Sequence, residues 1–201
     1  MKYIFTLLFL SINLFTTAQT QKDAIRFQQN LNRQYSTKST SPLRSEQIRF
    51  FKELPFFSWK KEYIVMANLE LTPKASLFTI ETNTDRNPLY QQYAIATFIL
   101  NGQKEELRIY QSQESKFSME YKDHLFLPFK DASNGEDSYE AGRYIDVYIS
   151  NIINNQIVID FNKAYNPYCA YNKKYSCPIP PKENHLNSTI PAGVKKGVTY
   201  Q

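Results

Sequence analysis

Glycine, cysteine and histidine are all scarce in this chain of 201 residues: five, two and two respectively. The shortage of glycine excludes the loops that cradle nucleotides, since neither a Gly-x-Gly-x-x-Gly fingerprint nor a Walker sequence is present. No Gly-x-Ser-x-Gly elbow marks a serine hydrolase. Two cysteines separated by seven residues, Cys169 and Cys177, match no zinc spacing, and the sequence gives no metal site or cofactor. No run of five or six like charges occurs. The bases are scattered from Arg26 to Lys196, so a nucleic-acid footprint, which needs clustering, is not expected. Beyond residue 15 no apolar run approaches the roughly 20 residues that a membrane-spanning helix requires. There is no internal repeat.

What is present begins with "MKYIFTLLFLSINLFTTAQ". One lysine, an apolar run from Tyr3 to Phe15 and the small residues Thr16-Thr17-Ala18 form the layout of a secretory signal peptide over residues 1–18. No cysteine follows that run, so a lipoprotein anchor is not indicated. The expected destination is periplasmic or extracellular. Two cysteines in an exported chain read as a disulfide, worth about 2.5 kcal/mol for so short a loop. The formal net charge of +5 permits weak attraction to an acidic envelope component, without specificity.

The periodicity divides the remainder into a helical or flexible segment, 19–40, and one β-rich domain, 41–201. Ile25, Phe27, Leu31 and Tyr35 are helically spaced. Ser41-Pro42 suits a helix start, and the spacing after it predicts an amphipathic helix over 42–53. From Tyr63 the period changes to two. Strands are expected in "YIVMANLEL", "SLFTIETN", "YAIATFIL", "QKEELRIYQ", "KFSMEY", "HLFLPF", "RYIDVYIS" and "QIVIDFN". Asn101-Gly102 signals a type I′ hairpin, and Asn154-Asn155 a second. Hairpin-linked strands without intervening helices predict a mainly β fold: an antiparallel sandwich or partly open barrel with N-terminal helices and an irregular C-terminal tail.

Chemistry-bearing residues concentrate near the C-terminus. Alternation places Asp160 and Asn162 on one face at a strand end, either lining a cavity or anchoring the loop that follows. Arg143 opens a largely apolar strand, where it either pairs with an internal carboxylate, such as Asp160 or Asp131, or meets an anionic ligand. Arg143, Asp160, Asn162 and Asn166 are therefore the candidate binding residues for a small ligand beside a loop closed by Cys169 and Cys177. Two alternatives stand: a hydrolase with Asp160 as general base and Arg143 stabilising negative charge, and an envelope structural or interaction protein.

The segments "LFLPFKDASNGEDSYEAGRYID" and "IDFNKAYNPYCAYNKKYSCPIPPKENHL" resemble an uncharacterised prokaryotic family, domain of unknown function 1684. The resemblance runs from Ser41 to Gly193 and is tightest from Leu125 to Leu186. It implies no established activity. His185 stands where members often carry Arg, and "AGVKK" replaces a common Ala-Gly-Glu. The resemblance extends to cytosolic members, in which the two cysteines would be a thiol or metal pair rather than a disulfide.

Overall fold

The computed structural model describes residues 20–200; the expected signal peptide over 1–18 lies outside them. Residues 20–36 form α1. Its buried seam is Ala24, Leu31 and Tyr35 with Phe27 half-buried, while Ile25 faces solvent. The expected helix over 42–53 is only one turn, α2 (Ser45–Ile48), followed by a strand, β1 (Phe51–Glu53). Ser41 Oγ accepts from the Leu43 amide (3.1 Å) in a local turn instead of capping the helix. Tertiary partners decide the correction. β1 pairs antiparallel with β9 (Thr199–Tyr200), the Leu54 amide donates to Asn32 Oδ1 on α1 (2.8 Å), and Phe51 and Leu54 bury beside Leu31, Tyr35 and Val194. A short apolar run is ambiguous between helix and strand, and partners distant in sequence resolve it here.

The main sheet contains β2 (Ile64–Leu71), β3 (Leu77–Thr79), β4 (Leu89–Leu100), β5 (Gln103–Ser112), β6 (His124–Phe129), β7 (Arg143–Tyr148) and β8 (Gln156–Asp160). Its order is β7-β6-β5-β4-β2-β8, with β3 also on β4, and every pairing is antiparallel. The sheet curls strongly into a half-barrel, the partly open form of the expected architecture. Asn101 and Gly102 have φ of 51° and 78°, as the type I′ turn between β4 and β5 requires. Asn154 and Asn155 also turn with positive φ, 52° and 56°. They close only the Ile153–Gln156 bridge, however. β7 pairs with β6 and β8 with β2, so the expected β7–β8 hairpin is absent and these two strands end the ladder. "KFSMEY" is not a strand either. It belongs to a turn-rich connection between β5 and β6 in which Phe117 and Met119 are 85% and 88% exposed.

One face of the sheet carries the core. Val65, Ala67 and Leu69, Ala96 and Phe98, Leu107 and Ile109, Leu125 and Leu127, Ile145 and Val147, and Ile157 and Ile159 alternate inward, and Phe161, Leu186, Ile190 and Ala192 from the tail complete the cluster. The opposite face is aromatic where β4 to β7 meet. A bulge between Gln92 and Ala94 adds a residue of β4 to it. One extra residue reverses the alternation, so Tyr90 joins Tyr110, Phe126 and Tyr144 on the second face while Ala94 faces the core.

Candidate functional site

The four candidate binding residues fall into different environments. Arg143 is fully buried on the core side of β7. Its guanidinium donates to Asp131 Oδ2 (2.7 Å), the Ile190 carbonyl (2.8 Å) and the Ala192 carbonyl, and lies 5.2 Å from the centre of the Phe129 ring. Burial lowers its pKa and the Asp131 charge opposes that. Asp131 is the internal partner, not Asp160. Its Oδ1 accepts from the Ser133 amide (2.9 Å) and the Ile190 amide (3.2 Å). Asn134 folds the loop around it, taking the Asp131 amide on Oδ1 (2.7 Å) and donating to the Tyr139 carbonyl (2.7 Å). Gly142 has φ of 101°, and a Cβ there would stand 2.7 Å from the Phe129 carbonyl oxygen and 2.8 Å from Pro180 Cγ. Most of the "DASNGEDSYEAGRY" pattern therefore builds the enclosure of one ion pair.

Asp160 caps the 3-10 turn Phe161–Lys163, accepting from the Asn162 amide (3.0 Å) and Asn162 Nδ2 (2.9 Å). Burial raises its pKa, against these hydrogen bonds and Lys163. Asn162 also clasps both the amide (3.0 Å) and the carbonyl (2.9 Å) of Lys60. Asn166 donates to Tyr171 Oη (3.1 Å) and the Lys195 carbonyl (3.0 Å). Asp160 lines a hollow of about 470 Å³ under α1, together with Asp23, Asp146 and Lys163. None of the four lines the cleft walled by tyrosines on the other face of the sheet.

That cleft, about 500 Å³, lies on the aromatic face between β6–β7 and the loop of residues 165–178. Antiparallel pairing sets His124 opposite Tyr148, Phe126 opposite Asp146 and Pro128 opposite Tyr144. His124, Phe126, Tyr144, Asp146 and Tyr148 thereby share one surface, and Tyr165, Tyr168, Tyr175, Cys177 and Pro178 face it from the loop. His124 Nε2 donates to Asp146 Oδ1 (2.8 Å), and Tyr165 Oη donates to the same oxygen (2.8 Å). In the neutral ring this bond selects the tautomer in which Nδ1 is the acceptor. Among the described residues, no hydroxyl or thiol hydrogen-bonds His124, and Ser176 Oγ is engaged with Thr84 Oγ1 (2.7 Å). The arrangement can orient and hold a polar group. The period-two alternation of "HLFLPF" and "RYIDVY" carried the signal for His124 and Asp146; their convergence with Tyr165 needed the fold.

Cys169 and Cys177 are neighbouring thiols, unbonded in this structure, with the Cys169 amide 3.2 Å from Cys177 Sγ. A hydrogen bond from the Cys177 thiol lowers the Cys169 pKa to about 7, assisted by Tyr139 and by local amides and opposed by burial. Cys177 is correspondingly pushed far up, because it retains the shared proton. Among the described residues no cluster of three or more metal-ligating side chains occurs, and no helix is long and apolar enough to cross a membrane.

Fold and site define an antiparallel half-barrel with an aromatic cleft beneath its C-terminal loop. The sequence matches the family described as "Protein of unknown function (DUF1684)" over residues 49–195, and the chain belongs to that family. It is also similar to an uncharacterised protein of Haloarcula marismortui solved by solution NMR. The identity is 29%, the TM-score 0.69, and the match covers 90% of this chain and 96% of that one. No curated protein matches the chain.

Replacing Asp131 with Ala strands a fully buried guanidinium and is expected to cost about 3–5 kcal/mol in urea unfolding. A loss below about 1 kcal/mol would show that water or another group replaces the carboxylate. In the reduced protein, alkylation of Cys169 by iodoacetamide should rise with pH through a midpoint of about 7. Cys177→Ala removes the proton donor, so the midpoint should move up toward the ordinary thiol value of about 8.5; an unchanged midpoint contradicts the shared proton.

Proposed function

We propose that this protein is a binding module that takes a small organic ligand in the aromatic cleft beside its C-terminal loop. The observation that carries this reading is the cleft itself: about 500 Å³, walled largely by tyrosines, with Asp146 and His124 held ready by internal hydrogen bonds. Small-molecule sites typically combine a mostly apolar lining, a few oriented polar groups and a volume of roughly 300–1,000 Å³. In this reading Asn166 and Asp160 act as supports. Asn166 ties the loop that brings Tyr165 and Tyr168 to the cleft, and Asp160 with Asn162 fixes the chain just before it. Arg143 anchors the strand that carries Tyr144 and Asp146. The hydrolase alternative has less support, because the Arg143 fork is engaged by Asp131 and two carbonyls.

The sequence-based expectation of export belongs to the same proposal, with a periplasmic or extracellular destination. An oxidising compartment would join Cys169 and Cys177, closing the loop by loss of two protons and two electrons to a disulfide donor. Titration of protein recovered from such a compartment should find no free thiol before reduction and two after it; two free thiols at the outset would remove the disulfide from this reading.

Titration with a small-molecule panel, followed by NMR, should perturb His124, Tyr168 and Tyr175 together. Tyr175 is half-buried and its ring packs on Tyr168 at 5.2 Å between centroids. Tyr175→Ala is therefore expected to weaken binding about tenfold, with the melting temperature changed by no more than about 2 °C. Binding indifferent to that change, or perturbations confined to other surfaces, would place the ligand elsewhere.

A further inference from the structure

The chemistry of the cleft selects among ligands. The formal net charge of the chain is +5, with 24 lysines and arginines, yet none of these lines the cleft. Its charged lining consists of two carboxylates, Asp146 and Glu120. A smaller hollow adjoins it through Tyr90, Tyr121, His124 and Phe126, and there Arg86 is paired with Glu114 at 2.5 Å. An anion entering here would meet carboxylates and no lysine or arginine of the lining; the nearest ammonium named against a lining ring is that of Lys174, outside the lining, 4.8 Å from the centre of the Tyr175 ring. Within a basic protein, the cleft is a local site for positive charge.

The rings meet edge to face in pairs and do not form one flat platform. Phe126 and Tyr144 meet at 74° with centroids 4.7 Å apart, Tyr144 and Tyr165 at 89° and 5.9 Å, and Tyr168 and Tyr175 at 62° and 5.2 Å. Three of the phenol hydroxyls are engaged by the protein: Tyr144 with the Pro178 carbonyl, Tyr165 with Asp146, and Tyr168 with Gln34. Tyr144 and Tyr165 donate their hydroxyl protons to these partners, whereas Tyr168 accepts from Gln34 and keeps its O–H; each ring also has a negative face that attracts cations. Both internal bonds to Asp146 fall on Oδ1, and Oδ2 has no hydrogen-bond partner among the described residues. A polyol would find the hydroxyl protons of Tyr144 and Tyr165 already donated. An alkylated ammonium needs only ring faces and an opposite charge.

We propose that the cleft binds a small organic cation of the alkylated ammonium class, with its methyl or methylene groups against the tyrosine rings and its charge balanced by Asp146 and Glu120. This rests on the reading of the cleft as a ligand site and adds the ligand class to it.

The test is calorimetric and NMR titration of the purified protein with choline and tetramethylammonium, alongside 3,3-dimethylbutanol (the neutral carbon isostere of choline), glucose and inorganic phosphate. Choline and tetramethylammonium should bind and perturb His124 and Tyr168, and the isostere should bind at least about tenfold more weakly than choline, the scale of a cation–π contact combined with charge pairing. Asp146→Asn should reduce that preference to less than about threefold while leaving isostere binding intact, which also reports a preserved fold. If Asp146→Asn fails to fold, Glu120→Gln on the exposed connection should reduce the preference severalfold on its own. Equal binding of choline and its isostere would overturn the cation proposal and leave a small-ligand cleft standing. Binding of glucose or phosphate in place of the cations would do the same. Failure of every compound to bind in the cleft would overturn this proposal and count against the small-ligand reading beneath it.

Discussion

The ion pair between Arg143 and Asp131 is the constraint on which much of the remaining structure depends. A guanidinium without solvent contact is tolerable only where its charge and its donors are met. Here one carboxylate and the carbonyls of Ile190 and Ala192 meet the charge and both terminal nitrogens, while the buried Nε has no partner among the described residues, and a single side chain joins β7, the 131–138 loop and the C-terminal tail. The features around it follow from that requirement. Asn134 and Ser133 lock the loop that presents Asp131, and Gly142 admits the chain where a Cβ would strike the Phe129 backbone. The tail is held a second time by Asn184, which accepts from the Arg108 amide (2.8 Å) and donates to the Arg108 (2.8 Å) and Pro128 (2.6 Å) carbonyls. An irregular C-terminal quarter thus becomes a wall of the core without needing regular secondary structure.

A wall fixed in this way allows the other face of the sheet to carry a cleft. β6 and β7 turn Leu125, Leu127, Ile145 and Val147 toward the core, and the same pleat turns His124, Phe126, Tyr144, Asp146 and Tyr148 away from it. The bulge in β4 adds Tyr90 to that surface. The loop of residues 165–178 closes over it, positioned by Asn166, by the bond from Tyr165 to Asp146 and by backbone pairing between Tyr144 and Tyr165. The two faces of the same strands thereby differ: one packs the core and neutralises Arg143 internally, and the other borders the cleft with Asp146.

The alternating strands, the Asn101-Gly102 turn and the α1 seam were legible in the sequence because each depends on neighbours a few residues apart. The helix expected over 42–53 and the hairpin expected at Asn154-Asn155 were not. Phe51 and Leu54 suit either period, and their state is decided by the β9 backbone and Asn32; β8 finds its partner in β2, nearly a hundred residues earlier. The four candidate residues named from the sequence, Arg143, Asp160, Asn162 and Asn166, do not line the cleft. Arg143 was expected either to pair with an internal carboxylate, Asp160 or Asp131, or to meet an anionic ligand, and its partner is Asp131. His124 and Asp146 were passed over because neither has an unusual neighbour in sequence, and their relation appears only when β6 and β7 are set in register.

By itself, then, the sequence determined the period-two β architecture, the tight turns and the identity of a long structural motif in its C-terminal half. These are encoded in local spacing and in residue types with few alternatives, such as glycine at positive φ. Only the tertiary structure decided which strands pair, which carboxylate neutralises Arg143, and where the aromatic side chains leave space. Those outcomes depend on register and curl, and these are set by the simultaneous burial of one entire sheet face against a tail that has no local structure of its own.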